Sequence, residues 1–460
     1  MERRNVTLAY GKERRTYSCP AGFLAGEPLA PRPLVGGRTP REAFADALAH
    51  PEGAPPLREL ARGRRVAIVI ADEFRAGLQK EILDVLIAEV AAAKPAHAAL
   101  LVATGSHDPA IYAKTLAPAA RESAARHGLE LLVHVHDCDK STHHHVGNTP
   151  MGTPVDLDEV LLSADLRVYG HESKHHYMCG YSVIDKLVLP GMSARRTIEA
   201  NHKRALDPAS QGGRSPWHPD PQRKHNPFAE DARDARQLTE WQVYETGRLV
   251  ERPVDTFGLD MISEGGQVGW IAAGRPEAFL PRMPVEVDRV GAFEVQRARY
   301  VLLSPGGPPA SGTLYSTQNC FDMALLGSIR PGGEALVLAP CDGRPDVPAD
   351  VRGLAPDAGS KALFYDGLVK LLALPFDEAE AWIRDNFELY LWKTHRVLRL
   401  LKVDNVRMHL HSELDPALVS AAGFVPVADP QAWLDERAAR GDGTCHVIDN
   451  GNRLLVVGKP

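Results

Sequence analysis

Three apolar runs, spaced by segments of helical period, constrain this chain more than any other feature. Residues 64–72 read RRVAIVIAD, residues 98–104 read AALLVAT, and residues 129–137 read LELLVHVHD. Runs of this length without polar alternation suit strands buried on both faces, as in a parallel sheet. A helix-period stretch from Leu78 to Ala93 separates the first two runs, and an Ala-rich stretch from Ala110 to His127 separates the second from the third. Strand and helix alternating in this way predict a doubly wound parallel sheet. Ligands of such sheets sit beyond the carboxyl ends of the strands. Asp72, Arg75 and His107 fall at those ends and are site candidates on that ground.

The rest of the chain extends the pattern. LRVYGHES (166–173) reads as a strand running into a loop, followed by the turn LVLPGMSARR and a short helix carrying TIEANH. Residues 205–235, rich in Pro, Gly, Arg and Asp, are expected to form a long irregular surface excursion. FGLDMI and VGWIAAG (257–274) return to strand character. Beyond residue 286, RYVLLSPGG, EALVLAP and VRMHL read as strands, and 313–329 and 376–402 as helices. A chain of 460 residues exceeds the roughly 250–300 at which single cores stop growing. The expectation is therefore two α/β domains with mainly parallel sheets and an active site in the cleft between them. The domains are expected at 1–285 and 286–430, with 431–460 as a closing segment that could return to the first.

Composition narrows the function classes. The net charge of −6, with both signs interspersed, leaves no electrostatic footprint for nucleic acid or an anionic membrane. No apolar run approaches the roughly 18–20 residues that cross a bilayer. The N-terminal MERRNVTLAYGKERR is basic without the apolar segment of a secretion signal, so cytoplasm is the expected location. Six scattered cysteines without a C-x-x-C pair read as buried thiols. No G-x-G-x-x-G follows the first strand, which argues against a nicotinamide dehydrogenase.

Nineteen histidines are the unusual count, and many fall between His134 and His225. In HHYMCGYSVIDKLVLPGMSARRTIEANH (175–202), His176 precedes Lys186 by ten positions and His202 follows it by sixteen. The two imidazoles suit proton transfer and metal binding, and a lysine amine suits covalent attachment of a cofactor. The triplet His143-His144-His145 cannot face one ion from an extended chain and reads as a solvated loop.

The segment 175–202 resembles the core signature of the nickel-dependent lactate racemases. The likeness continues in YGK near the start, PEGAPPLREL, the strand ending in Asp72, and ATGSHDP (103–109). The resemblance implies that Lys186 carries a nickel-pincer nucleotide, a pyridinium-3-thioamide-5-thiocarboxylic acid mononucleotide, with His202 as the protein ligand to nickel. It implies His107 and His176 as the acid–base pair, Asp72 and Trp392 beside the cofactor, and Arg75 on the substrate. Asp72 as a helix cap and Trp392 as a core residue remain open beside those roles. Implied partners are a small 2-hydroxy acid and, transiently, the enzymes that make the cofactor.

One departure bears on the substrate. The family's glutamine and lysine early in the helix after the second domain's first strand correspond here to Ser316 and Asn319, in LYSTQNC. A cation is then missing where the lactate carboxylate would be gripped, so a racemase or epimerase of another 2-hydroxy acid is expected, with Ser316 and Asn319 as substrate contacts. The rival readings are a zinc hydrolase using the histidine-rich region, which lacks an H-E-x-x-H helix pair, and a non-catalytic homologue that only binds the cofactor.

Overall fold

The computed structural model describes residues 2–34, 36–72 and 78–459, and Arg75 lies outside them. The chain forms two compact units. The first comprises Pro33–Lys174 and Met178–Val287; the second comprises Met1–Arg32, His175–Tyr177 and Asp288–Pro460.

The first unit is built on a six-stranded sheet. Its strands are β1 (Arg65–Ala71), β2 (His97–Ala103), β3 (Leu132–Val135), β4 (Leu166–Glu172), β5 (Asp255–Glu264) and β6 (Gln267–Gly274), in the order β6-β5-β4-β1-β2-β3. All neighbours are parallel except β5 and β6, which form an antiparallel pair at one edge. Helix α1 (Gln79–Ala93) lays Ile82, Leu83, Leu86, Ile87 and Val90 against Ile68, Ile70, Leu100 and Val168 of the sheet. That 3–4 spacing is the apolar stripe read from the sequence. Burying each such side chain contributes about 1.5–3 kcal/mol.

The third run is a shorter strand than expected, because it forms the sheet edge and leaves Leu132 exposed. The Ala-rich stretch splits into Pro109–Lys114 and Leu116–His127. Pro118 has no N–H, and its ring opposes the Lys114 carbonyl, so one continuous helix is excluded.

The expected irregular excursion at 205–235 is corrected by the structure. Asn226 caps and Pro227 starts a helix, Pro227–Thr239, with Phe228, Ala232, Ala235 and Arg236 buried. The Asn226 amide also donates to the carbonyls of Met178 and Arg214, which ties the preceding loop inward.

The second unit has a five-stranded, all-parallel sheet. Its strands are β7 (Ala298–Leu303), β8 (Ile329–Leu338), β9 (Arg407–His411), β10 (Val425–Pro426) and β11 (Cys445–Ile448), ordered β10-β9-β8-β7-β11. The N-terminal hairpin, Arg3–Tyr10 with Glu13–Pro20, buries Val6, Leu8, Tyr17 and Cys19 against Tyr300, Leu302, Leu336 and Trp433. This burial places residues 1–32 in the second unit rather than in a domain spanning 1–285. Residues 431–460 likewise stay in the second unit, since β11 pairs with β7. Among the described residues, no helix is long and apolar enough to cross a membrane.

Candidate active site

In the first unit, the carboxyl ends of β1 and β2 bring Asp72 and His107 together. Asp72 is fully buried, and its Oδ2 accepts from His107 Nδ1. A carboxylate on Nδ1 fixes the ring and its tautomer, so proton exchange falls to Nε2. The alternative role for Asp72 is not found: α1 begins at Gln79 after Leu78, without a side-chain cap.

The His107 loop rests on the turn that follows Lys186. Gly105 donates its N–H to Gly191 O (3.0 Å), and Gly191 N–H returns to Lys186 O (3.0 Å). Gly191 admits no side chain, because a Cβ there would lie 2.3 Å from Leu187 O and 2.8 Å from Ala103.

Lys186 lies on the short helix α2 (Asp185–Val188) and is 2% exposed. Helix α3 (Arg195–His202) ends in His202, 5% exposed, whose Nδ1 donates to Ile198 O at 2.8 Å. With the proton on Nδ1, the neutral ring carries its lone pair on His202 Nε2. Both side chains meet one ring: Lys186 Nζ is 5.7 Å from the Phe228 centroid, and the His202 ring is 5.0 Å from it. Phe228 belongs to α4 (Pro227–Thr239), the helix that replaces the expected loop.

Buried charge holds α2 on α4. Arg236 donates to Asp185 Oδ1 (2.6 Å) and also pairs with Glu240 and Glu277. Trp217 Nε1 donates to the other Asp185 oxygen at 2.6 Å. Burial alone would lower the Arg236 pKa, but the charges of Asp185, Glu277 and Glu240 hold it above its ordinary range. The residue before the lysine is thus fixed from two sides.

The other candidates fall in the second unit. His176 stacks on Tyr177 with ring centroids 4.8 Å apart, and Tyr177 OH accepts from Trp392 Nε1 at 3.0 Å. Trp392 is 3% exposed at the start of α5 (Leu391–Lys402). The expected helix at 313–329 is broken into Leu314–Thr317, a π-helical turn Phe321–Leu325, and Leu326–Ser328. Such widened turns often accompany function. Ser316 serves the helix start, its N–H and hydroxyl both meeting Thr313 Oγ1 at 3.0 Å.

Lys393 brings an amine to Asn319. Its Nζ donates to Asn319 Oδ1 (2.6 Å), Tyr315 O (2.9 Å) and Gln318 Oε1 (3.1 Å). It also lies 4.1 Å from the Tyr315 ring centroid and 4.9 Å from that of Tyr177. The amine comes from α5, 74 residues along the chain from Asn319. Burial pulls the Lys393 amine down to about 7, with Arg396 adding to the shift and Asp322 opposing it. A signal existed in the sequence: Lys393, Val397 and Leu400 share one helical face, and all three are buried.

Residues 10–213 match the lactate racemase N-terminal domain. The lactate racemase of Lactiplantibacillus plantarum is 29% identical over 164 residues, 35% of this chain and 38% of that protein. The lactate racemase of Thermoanaerobacterium thermosaccharolyticum is 28% identical over 209 residues, 43% and 46% respectively. The matched stretch thus spans less than half the length of either curated relative. The fold is similar to the structure of the lactate racemase apoprotein from Thermoanaerobacterium thermosaccharolyticum, with a TM-score of 0.78 at 20% identity over 98% of this chain and 100% of that one. A Thermotoga maritima crystal structure matches with a TM-score of 0.63 at 12% identity, over 93% and 100%. Residues 10–213 of this chain are thus similar to the N-terminal domain of the lactate racemases, and nearly the whole chain shares the fold of a lactate racemase apoprotein.

Proposed function

We propose that this chain is a racemase or epimerase that inverts C2 of a 2-hydroxy acid, using a nickel-pincer nucleotide attached to Lys186. The observation that carries this reading is the pairing of Lys186 and His202 on one Phe228 ring, with the His107 loop resting on the intervening turn. The donor set fits the group: a buried primary amine for covalent attachment, and an imidazole whose tautomer leaves Nε2 for a metal. When bound, the nucleotide supplies an electrophilic ring able to accept and return a hydride.

The residues of the chain do the remaining work. His107 Nε2 takes the substrate hydroxyl proton, and Asp72 stabilises the imidazolium that forms. His176 is proposed as the second acid–base group, with Tyr177 holding its ring by stacking. The Lys393 ammonium is proposed to hold the substrate carboxylate, a charge-assisted bond roughly twice as strong as a neutral one. Asn319 orients that amine, and Ser316 lies in the short helix Leu314–Thr317 that Thr313 caps just ahead of Asn319. Trp392 is proposed to lie beside the cofactor, held by Tyr177. Arg75 is proposed as a further carboxylate contact. Ser316 and Asn319, at the positions of the family's glutamine and lysine, favour a 2-hydroxy acid other than lactate, with Lys393 keeping lactate among the candidates.

The test is co-production with the enzymes that make the cofactor, followed by intact mass, peptide mapping across Lys186 and nickel content. A mass gain on Lys186 with bound nickel is expected, together with racemisation of at least one member of a 2-hydroxy acid panel on chiral chromatography. An unmodified lysine without nickel, under conditions that load a known lactate racemase, would reject the reading.

A further inference from the structure

The carboxyl end of β3 carries a second cluster of ligand-type side chains that the proposed chemistry does not use. His134 lies on β3 and His136 just beyond it, while Asp158 ends the strand Pro154–Asp158. One ligand atom from each falls within 4.8 Å of the others. His136 and Asp158 are 0% and 1% exposed at their side chains, and His134 is 23% exposed.

The hydrogen-bond pattern is what makes this cluster unusual. His136 Nε2 lies 3.1 Å from Ser193 O, an atom that can only accept. In the neutral ring the proton therefore sits on Nε2 and a lone pair on Nδ1. That lone pair faces Asp158 Oδ2 at 3.0 Å, and the same oxygen is 2.7 Å from His134 Nε2. The other carboxylate oxygen accepts from Val160 N–H at 2.9 Å, as the cap of the short helix that follows. An ionised carboxylate and an imidazole lone pair at that distance need positive charge between them.

A third imidazole is close. The His143 ring stands edge-on to His136 with centroids 5.3 Å apart, and its buried Nε2 has no hydrogen-bond partner among the described residues. The other members of the triplet are engaged elsewhere: His144 with Glu159 at 2.8 Å, and His145 with Asp156 at 2.9 Å.

We propose that His134 Nε2, His136 Nδ1 and Asp158 Oδ2 bind a divalent zinc-class ion, with His143 positioned to complete the site. Two imidazoles and a carboxylate form a borderline N/O donor set that suits zinc. The Ser193 carbonyl holds the tautomer of His136, as outer-shell acceptors do at metal sites. The ion would join the end of β3 to the Pro154–Asp158 strand and the turn at Ser193. That turn precedes α3, and the His136 carbonyl accepts from Thr104 at 2.6 Å, ahead of His107. The role is therefore structural, and it stands whether or not Lys186 carries a nucleotide.

The test uses the full chain, produced without the cofactor-making enzymes, stripped with chelator and dialysed against zinc. One zinc ion per chain is expected, retained in His202→Ala and lost in His134→Gln and Asp158→Asn. Cobalt in place of zinc should give the visible absorption of a four-coordinate nitrogen–oxygen site, weakened in His143→Ala. Zinc should also raise the wild-type thermal midpoint and leave that of His134→Gln unchanged. Wild-type protein that retains no zinc overturns the proposal and leaves a proton as the shared charge. Zinc lost in His202→Ala but kept in His134→Gln overturns it equally. His134 is the least buried of the three, so a folded His134→Gln variant keeps the comparison decisive if Asp158→Asn misfolds.

Discussion

Asp72 is buried without exposure, and its carboxylate meets His107 Nδ1, so Asp72→Asn removes charge while keeping shape. In the loaded enzyme that change is expected to lower kcat by about 10²–10⁴-fold, the usual size of a general acid–base contribution. Because the pair acts as one device, the double variant with His107→Gln should lose little more than the worse single variant. Additive losses would separate the two residues. At Lys393 the argument concerns pH. Burial sets its amine near 7, so above about pH 7 the charge that would grip a carboxylate disappears. Calorimetric binding of a 2-hydroxy acid should weaken by up to about tenfold per pH unit above that point. Lys393→Met should bind weakly at every pH, and a wild-type affinity flat to about pH 9 would remove Lys393 from the carboxylate site. Sequence and structure divide along the same line. Asp72, His107, Lys186 and His202 lie in contiguous motifs that a linear reading can hold together. Lys393 meets Asn319 across 74 residues, and no local pattern joins them.

The elements that carry the lysine are short, and their stability comes from neighbours rather than from helix length. Helix α2 has four residues, too few to persist alone. It is held where Arg236 on α4 meets Asp185, Glu240 and Glu277, and where Trp217 donates to Asp185. Arg236→Met would leave three carboxylates without their shared cation. A loss of about 3–5 kcal/mol in urea unfolding of the first unit is expected. The fraction of Lys186 carrying the nucleotide should fall in parallel, read by mass across the peptide. A stable Arg236→Met variant with full occupancy would show that α2 needs no such anchor. The same helix explains why 205–235 was misread as a surface loop. Its Pro, Gly and charged residues are loop-like in composition, but Asn226 and Pro227 start a helix whose buried arginine has partners distant in sequence. Alternating strands and helices were legible because periodicity is local. The π-helical turn at Phe321–Leu325 and the break before Leu391 were not, because nothing in the apolar spacing marks them.

At the scale of the molecule, the two units need not respond alike to acid; among the described residues of the second, His395 and His409 are the buried histidines whose pKa falls furthest, with His446 lowered by burial to a smaller extent. His395 is lowered to about 4 by burial, opposed by Glu380. His409 is lowered to about 4 by burial and by Arg437, opposed by Glu334. In the unfolded chain both return towards 6.5, so between about pH 6.5 and pH 4 the unfolded state binds more protons. Stability of the second unit therefore falls as pH drops through that window, and neither group contributes further change above it. A shift from 6.5 to about 4 corresponds to about 3 kcal/mol per group when fully developed. Trp433 stands 5.6 Å from the His409 ring, which makes its fluorescence a local reporter. Denaturant midpoints followed there should fall steadily from about pH 6.5 to pH 4, with the first unit scored separately because a two-unit chain need not unfold in one step. His409→Gln should remove about half of that slope. It should also leave the midpoint at pH 7 less affected than at pH 4, because the neutral imidazole and the amide both suit a buried site that cannot hold a charge. An acid slope unchanged in His409→Gln would assign the sensitivity to carboxylates such as Glu334, which Arg437 and Arg440 hold below the ordinary range despite burial. The slope would then lie below about pH 4.5 rather than above it.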